Sequence, residues 1–328
     1  MDTLFAVGLL VVGLILLAGG GEALVRAATT LAELAGVSPA VIGLTVVAIG
    51  TSLPELVVSL VAATEGQPDL AIANVVGSNI FNITATLGLT ALILPLPVHG
   101  QAVKLEWPVM FVASFMCLLV ARDGRIDRVE GGFFLVAMVM FIAYTVRVAR
   151  KDVVGAERQQ LTAQVEARDI DTMRRPARPR LLLVSLSVLA AGIVGLVIGG
   201  RLLVDGAVSL ARLAGMTERV IGLTIVAAGT GAPELATSMV AAYRKRTDVA
   251  VANMIGSNIF NIFGILGVTA LVAPVPVPPA MVASDMRWMI GSTLLLLPLL
   301  RSEARLSRAE GGLLLTVYGV YLTLLLRA

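Results

Sequence analysis

Two carboxylates stand in this chain where an apolar helix has no structural use for them. Glu55 closes the run Gly50-Thr51-Ser52-Leu53-Pro54-Glu55 in the middle of an apolar stretch from Val41 to Ala63. Glu234 closes Gly229-Thr230-Gly231-Ala232-Pro233-Glu234 inside an equally apolar stretch from Val220 to Ala242. Charge in hydrocarbon costs about 2.5–3.5 kcal/mol on insertion scales, so a carboxylate kept there twice marks a functional site. Oxygen-bearing side chains keep the two glutamates company. Ser52, Glu55 and Ser59 fall at i, i+3, i+7 on one helical face, and Asn74, Ser78 and Asn82 fall at i, i+4, i+8, continued by Thr86 and Thr90. The second copy offers Glu234 with Ser238, then Asn253, Ser257 and Asn261.

An oxygen-only set whose formal charges are two carboxylates suits a hard cation. Two bidentate glutamates plus carbonyls near Thr51 and Thr230 would supply about six oxygens, within the range for Ca2+. The same two charges could hold two or more Na+ with the hydroxyls and amides. Mg2+ fits poorly because it dehydrates reluctantly and demands a small octahedron. Zinc and copper would want His or Cys, and these spans have none.

The prolines explain how backbone oxygens become available. Pro54 has no N–H to offer the Gly50 carbonyl, and its ring pushes that carbonyl away. The helix should open there, and Pro233 with Gly229 repeats the arrangement. Unpaired backbone is tolerated at membrane depth only where it lines a protein-enclosed cavity.

The elements that must position these groups are membrane helices. Over 328 residues, 57% are hydrophobic and 14% charged, against about 25% charged in a soluble domain, and the mean hydropathy is +0.92. Apolar segments long enough to cross a bilayer recur from end to end. Cys117 is the one cysteine, so the chain holds no internal disulfide, and His99, the one histidine, sits after Pro95 and Pro97 where a solvated loop side chain is expected. The net charge of +3 comes mostly from loops, so it speaks to topology rather than to nucleic acid. With Asp2 and no basic leader, Leu4–Leu17 reads as part of a retained first helix rather than a signal peptide.

The pattern predicts spans over Leu4–Ala32, Ala40–Ala63, Leu70–Leu94, Val103–Val120 and Val129–Arg147. Glu22 and Arg26, one turn apart in the first, are expected to pair. A charged linker follows, helical around Glu157–Ala167, with a basic end from Arg174 to Arg180. Further spans are expected over Leu182–Leu213, Arg219–Ala242, Val249–Val272, Met281–Leu300 and Ala309–Leu326. Gly20–Val98 aligns with Gly199–Val277 without a gap at a constant offset of 179 residues. Roughly half of the ~79 aligned positions are identical.

The chain therefore reads as an all-α membrane protein of about ten transmembrane helices in two five-helix repeats. Residues 1–148 form the first, 149–180 the basic linker and 181–328 the second. An odd number of spans per repeat forces the halves into opposite orientations, placing the broken second and seventh helices together at the midplane. The excess of Lys and Arg over the linker, Arg244-Lys245-Arg246 and Arg301, Arg305 and Arg308 favours a cytoplasmic linker and both termini outside.

Some polar and small residues have humbler work. Asn74, Asn79, Asn253 and Asn258 are expected to pack helices or orient ligands, and Gly43, Gly77, Gly222 and Gly256 to let helices approach. A hydrolase using the paired carboxylates would lack the partners a general base needs, since the only histidine lies in a loop. A passive cation channel has no need of broken helices in inverted repeats, which suit alternating access.

The runs Gly-Thr-Ser-Leu-Pro-Glu (50–55) and Gly-Ser-Asn-Ile-Phe-Asn (77–82), repeated at 229–234 and 256–261, resemble the paired repeats of the cation/calcium exchanger superfamily, in its prokaryotic sodium/calcium exchanger branch. The resemblance covers both halves. It implies a secondary antiporter, not an enzyme, that exchanges Na+ for Ca2+ by alternating access in the plasma or inner membrane. No cofactor is implied; Ca2+ and Na+ are substrates, the lipid bilayer is the surrounding partner, and the functional unit is a monomer. The implied site is a diamond of four cation positions bridged by Glu55 and Glu234, with the Thr51 and Thr230 carbonyls on Ca2+. Asn82 and Asn261 complete the middle. Ala48, Ser52 and Ser78 serve one outer Na+ position, and Ala227, Thr230 and Ser257 the other. The spans that begin at Leu4 and Leu182 would slide as a gating pair.

One position departs from the pattern: Gly231 stands where a serine matching Ser52 is expected. That removes a hydroxyl from the second repeat's Na+ position and puts the usual three-sodium stoichiometry in doubt. Asn261 stands where potassium-dependent relatives carry aspartate, and proton-coupled relatives carry ionisable groups in these motifs. Sodium coupling is therefore expected, with H+/Ca2+ or another cation antiport as the alternative.

Overall fold

A computed structural model describes residues 3–35, 37–66, 68–98, 100, 102–164, 178–215, 227–302 and 305–327. The chain is helical almost throughout. Its elements are α1 (Thr3–Ala35), α2 (Pro39–Thr51), α3 (Leu53–Thr64), α4 (Asp69–Ile93), α5 (Ala102–Asp123) and α6 (Arg128–Gln164), followed by α7 (Arg178–Leu213). The second half continues with α8 (Ala227–Thr230), α9 (Ala232–Tyr243), α10 (Thr247–Val272), α11 (Pro279–Arg301) and α12 (Arg308–Arg327).

Among the described residues eight helices are long and apolar enough to cross a membrane, and α2 with α3 makes a ninth, bent by 44°. The expected span Arg219–Ala242 is described from Ala227 onward as α8 and α9; Arg219, Gly222 and the residues around them lie outside the described residues, as does His99.

α6 runs beyond its expected end at Arg147, so the first part of the charged linker is helical as far as Gln164. Ala156, Glu157, Arg158, Gln159 and Gln160 are good helix formers and explain the extension. Arg174 lies outside the described residues. α7 starts at Arg178 with Pro179 in its first turn, where a missing N–H costs nothing.

The most buried spans are α4 and α10, at 72% and 78%, against 17–33% for the other six. These two carry the asparagine-rich motifs, so the polar residues of the sequence end up at the centre. Around them the outer helices turn apolar residues such as Ile15, Val139 and Leu183 outward, as hydrocarbon solvent requires.

α1 and α7 lie against each other along their length. Glycines at heptad spacing allow it. A Cβ on Gly20 would come within 2.8 Å of the Gly192 carbonyl oxygen, and one on Gly192 within 2.9 Å of the Gly20 carbonyl oxygen. Gly13 and Gly199 repeat the reciprocal contact at 2.8 and 2.9 Å. Gly43 and Gly256 serve close packing as expected, whereas Gly77 has nothing within 4 Å of a built Cβ and needs another explanation.

Two short antiparallel ladders tie the halves together. β1 (Leu96–Pro97) pairs with β4 (Arg305–Leu306), and β2 (Arg125–Ile126) pairs with β3 (Val275–Pro276). Leu96 and Val275 are repeat equivalents, and so are Ile126 and Leu306, one residue further in offset. Each half therefore gives the other what it receives, and the loop after α4 meets the loop before α12 just as the loop after α10 meets the loop before α6. Such exchange is what a two-fold relation between inverted halves produces.

Candidate functional site

The first helix break falls at Ser52, whose φ of −88° and ψ of 10° leave the helical region. α3 restarts at once, with Pro54 inside its first two positions and Glu55 in its first turn. Proline is thus placed where its missing N–H is harmless, and the carboxylate lies beside the positive end of the new helix. Gly231 repeats the break with φ −81° and ψ 2°, followed by Pro233 and Glu234 at the start of α9.

Asparagines hold the surrounding helices in register. Asn74 Nδ2 donates to Ser59 Oγ at 2.8 Å and to the Glu55 carbonyl oxygen at 3.0 Å, which ties α4 to the helix that carries Glu55. Its counterpart Asn253 donates from Nδ2 to Ser238 Oγ at 3.2 Å. Between α4 and α10, Asn82 Nδ2 donates to Asn258 Oδ1 at 3.3 Å, and Asn261 Nδ2 donates to Asn79 Oδ1 at 2.9 Å. Asn79 and Asn258 turn their own Nδ2 groups toward the sulfurs of Met289 and Met110, at 3.6 and 3.5 Å. The four asparagines expected to pack helices or orient neighbours therefore do bond to neighbouring helices. Asn82 opens a π-helical segment, Asn82–Thr86, and Asn261 lies in another, Phe260–Leu266. Such wide turns recur at functional positions because they expose backbone and re-aim side chains.

These donations leave one kind of atom over. Glu55 and Glu234 are both buried, at 1% and 0% exposure. Ser52 Oγ donates to Glu234 Oε1 at 2.8 Å across the interface between the two breaks. Glu55 Oε2, Glu234 Oε2, Asn82 Oδ1, Asn261 Oδ1 and Ser257 Oγ are buried and have no hydrogen-bond partner among the described residues. Four of those five are acceptors on repeat-equivalent residues. Leaving a buried polar atom unpaired costs about 1–3 kcal/mol, so five together need a reason to exist.

The remaining residues singled out in the sequence sit beside them. Ala48 and Thr51 are the ends of one helical turn, Ala48–Thr51, and Ala227 and Thr230 are the ends of its counterpart. The Ala48 carbonyl accepts from Ser52 N at 3.1 Å and from Thr51 Oγ1 at 3.3 Å. Ser78 and Ser257 are buried on α4 and α10. Arg26, an arginine inside an apolar span, is engaged elsewhere: it pairs with Glu22, whose carboxylate also takes Arg244 of the α9–α10 turn at 2.6 Å. Among the described residues no cluster of three or more His, Cys, Asp or Glu side chains exists, so carboxylate charge at the site comes from the pair of glutamates.

A cavity of about 340 Å3 reaches the second break between α7 and the two Pro-Glu turns, touching Pro54, Gly200, Arg201, Asp205, Thr230 and Pro233. Another, of about 190 Å3, is lined by Ser38, Pro97, Glu106 and Asp248 at the end of the molecule where β1 and β4 pair.

A sequence profile described as sodium/calcium exchanger protein matches residues 5–147 and 184–327, which leaves out little more than the linker. The chain belongs to the sodium/calcium exchanger family. Its family is one of exchangers, not enzymes. Among curated proteins it is 37% identical to the inner membrane protein YrbG of Escherichia coli (strain K12), covering 98% of this chain and 97% of that protein. It is 31% identical to the sodium/calcium exchanger MaX1 of Methanosarcina acetivorans, with 97% of each covered. A solved structure of the sodium-calcium exchanger NCX_Mj superposes with a TM-score of 0.81 at 31% identity, covering 99% of this chain and 100% of that one. The expected family, all-helical membrane fold and exchanger class are thus all present in this chain.

Sequence reasoning passed over three positions at this site. Phe81 was visible only as one letter of a repeated motif, yet its ring lies against Gly231: a Cβ there would come within 2.6 Å of Phe81 Cε1. Met110 and Met289 lie outside the gap-free repeat, and their thioether contacts with Asn258 and Asn79 show only in three dimensions. The signal for Phe81 was the difference between Ala85 and its repeat equivalent Gly264.

Proposed function

We propose that this protein is a secondary antiporter that exchanges Na+ for Ca2+ across a cell membrane by alternating access. The observation that carries this reading is the set of five buried oxygens without partners among the described residues, on Glu55, Glu234, Asn82, Asn261 and Ser257. A carboxylate oxygen that meets no donor gains most from a cation, and Ca2+ takes six to eight such oxygens at about 2.3–2.6 Å. The two carboxylates balance one Ca2+ or two Na+, so either load leaves the site neutral.

In this reading Glu55 and Glu234 hold every cation, the Thr51 and Thr230 carbonyls complete the Ca2+ shell, and Asn82 and Asn261 close the middle. Ala48, Ser52 and Ser78 bind Na+ on one side of the glutamates. Ala227, Thr230 and Ser257 line the other. Residues 1–148 and 181–328 are the two inverted halves, and the segment 149–180 is cytoplasmic. The ladder that joins Pro97 to Arg305 then lies at the cytoplasmic end, near Arg301 and Arg308, and the Arg125–Pro276 ladder at the outer end. That arrangement puts both termini outside and most basic residues inside.

The deciding experiment is uptake of radiolabelled Ca2+ into proteoliposomes loaded with Na+, with K+, or with a pH gradient. Uptake that requires internal Na+ is the expected result. Uptake indifferent to Na+ but driven by a proton gradient would replace this function with H+/Ca2+ antiport.

A further inference from the structure

We propose that Phe81 closes the second repeat's counterpart of the Ser52 site, so that this chain exchanges two Na+ for one Ca2+ and moves no net charge per cycle. The proposal rests on the antiport reading above and adds its stoichiometry.

Two sequence differences between the repeats, placed around a phenylalanine present in both, form one device. Ser52 is matched by Gly231, Ala85 by Gly264, and Phe81 by Phe260 in the identical motif. The two rings take different places. Phe260 lies back along its own helix over Gly264, where a Cβ would come within 2.5 Å of ring atoms Cδ2 and Cε2. Approaches under 3.0 Å are not found for real Cβ atoms, so the methyl of Ala85 forbids the same position to Phe81. Phe81 instead leans across to the break just before α9, where a Cβ on Gly231 would lie 2.6 Å from its Cε1 and 2.7 Å from its Cδ1. Each ring has one glycine to receive it. The hydroxyl therefore survives only in the first repeat, as Ser52.

Phe81 is also held where it lies. Tyr318 meets it edge to face, with centroids 5.6 Å apart and planes at 73°, a favoured aromatic geometry. The repeat equivalent of Tyr318 is Met138, so the brace exists on one side only.

The consequence is chemical. On the first repeat's side, Ser52 Oγ reaches Glu234 at 2.8 Å and can offer its oxygen to a cation beside that carboxylate. On the other side the place of a serine Cβ is taken by ring carbons of Phe81, itself buried at 8% exposure, so no serine hydroxyl can stand there while the ring keeps this position. Na+ needs oxygen ligands, and a phenyl ring supplies none. With one outer position closed, the two glutamates are left to trade one divalent ion for two monovalent ones.

The test is the thermodynamic coupling of the full-length protein in proteoliposomes, with K+ and valinomycin setting the potential. Steady-state Ca2+ accumulation should follow the square of the Na+ ratio, about a hundredfold for a tenfold gradient, and should not move with potential. One uncompensated charge would instead shift accumulation about tenfold for about 59 mV. Gly231→Ser alone should lose most transport, because its Cβ strikes Phe81. Ala85→Gly with Gly231→Ser should recover transport, since Phe81 can then lie back as Phe260 does, and should make accumulation follow potential. Potential-dependent, cube-law accumulation in the unaltered protein would overturn the inference and leave Na+/Ca2+ antiport standing. A double variant that transports without responding to potential would remove the role of Phe81. Absence of any Na+-driven uptake in the unaltered protein would bring down the antiport reading and the stoichiometry with it.

Discussion

Ser52 of the first repeat donates its hydroxyl to Glu234 of the second at 2.8 Å, and the reciprocal partner of Glu55 is a glycine. The bond joins the two helix breaks directly. It also makes a two-fold site unequal, because the serine hydroxyl that serves Glu234 has no counterpart at Gly231.

Ser52→Ala should therefore injure Glu234 more than its small change in volume suggests. Removing a donor from a buried carboxylate costs about 1–3 kcal/mol. The half-saturating Na+ concentration for Ca2+ uptake should rise, and the melting temperature in detergent should fall. Wild-type Na+ dependence in this variant would mean the hydroxyl takes no part in Na+ binding.

The glutamates themselves admit a sharper statement. Glu55→Gln and Glu234→Gln keep shape and remove charge, so both should fold and neither should exchange ions. Retention of more than about a tenth of the unaltered rate, a loss under about 1.4 kcal/mol, would remove either residue from the centre of the mechanism.

The gap-free repeat, the Pro-Glu breaks and both glutamates were legible from residue types because their causes are local. A proline lacks its N–H wherever it stands, and a carboxylate in a long apolar run is costly in any fold. Most span boundaries came within a few residues for the same reason; α6 instead continues to Gln164, and the start of the span expected from Arg219 lies outside the described residues. What was not legible is pairing across the repeats. Nothing within the run Asn74–Asn82 says that Asn82 will donate to Asn258 while Asn79 accepts from Asn261; that depends on how α4 and α10 cross.

Those cross-bonds carry their own prediction. Asn79→Ala and Asn258→Ala each delete a cross-helix partner of Asn261 or Asn82. Each should weaken apparent Ca2+ affinity and lower stability by about 1–3 kcal/mol, measured by Ca2+ titration of uptake and by thermal unfolding. Unchanged affinity with lowered stability would confine these asparagines to packing.

Two adjacent glycines test the long contact between α1 and α7. A Cβ on Gly20 would meet the Gly192 carbonyl oxygen at 2.8 Å, while one on Gly19 would meet nothing within 4 Å. Gly20→Ala should cost about 1–3 kcal/mol through overpacking and slow transport. Gly19→Ala should be neutral or stabilise by up to about 1 kcal/mol through helix propensity. Equal effects in the two variants would contradict the observed register of α1 on α7.

Composition, repeat and motif by themselves determined that this is a helical membrane protein with two broken spans, each carrying one carboxylate, and that its second copy lacks a hydroxyl. Hydrocarbon solvent and the missing proline N–H act on a segment before it meets any other, so a linear reading captures them. Where the freed oxygens point, and what stands in for the missing hydroxyl, was decided by tertiary structure alone. Phe81 and Gly231 are separated by 150 residues of chain, and a single methyl on Ala85 sends the ring from one to the other. Steric exclusion at that range follows from packing, which exists only once the two halves have closed on each other.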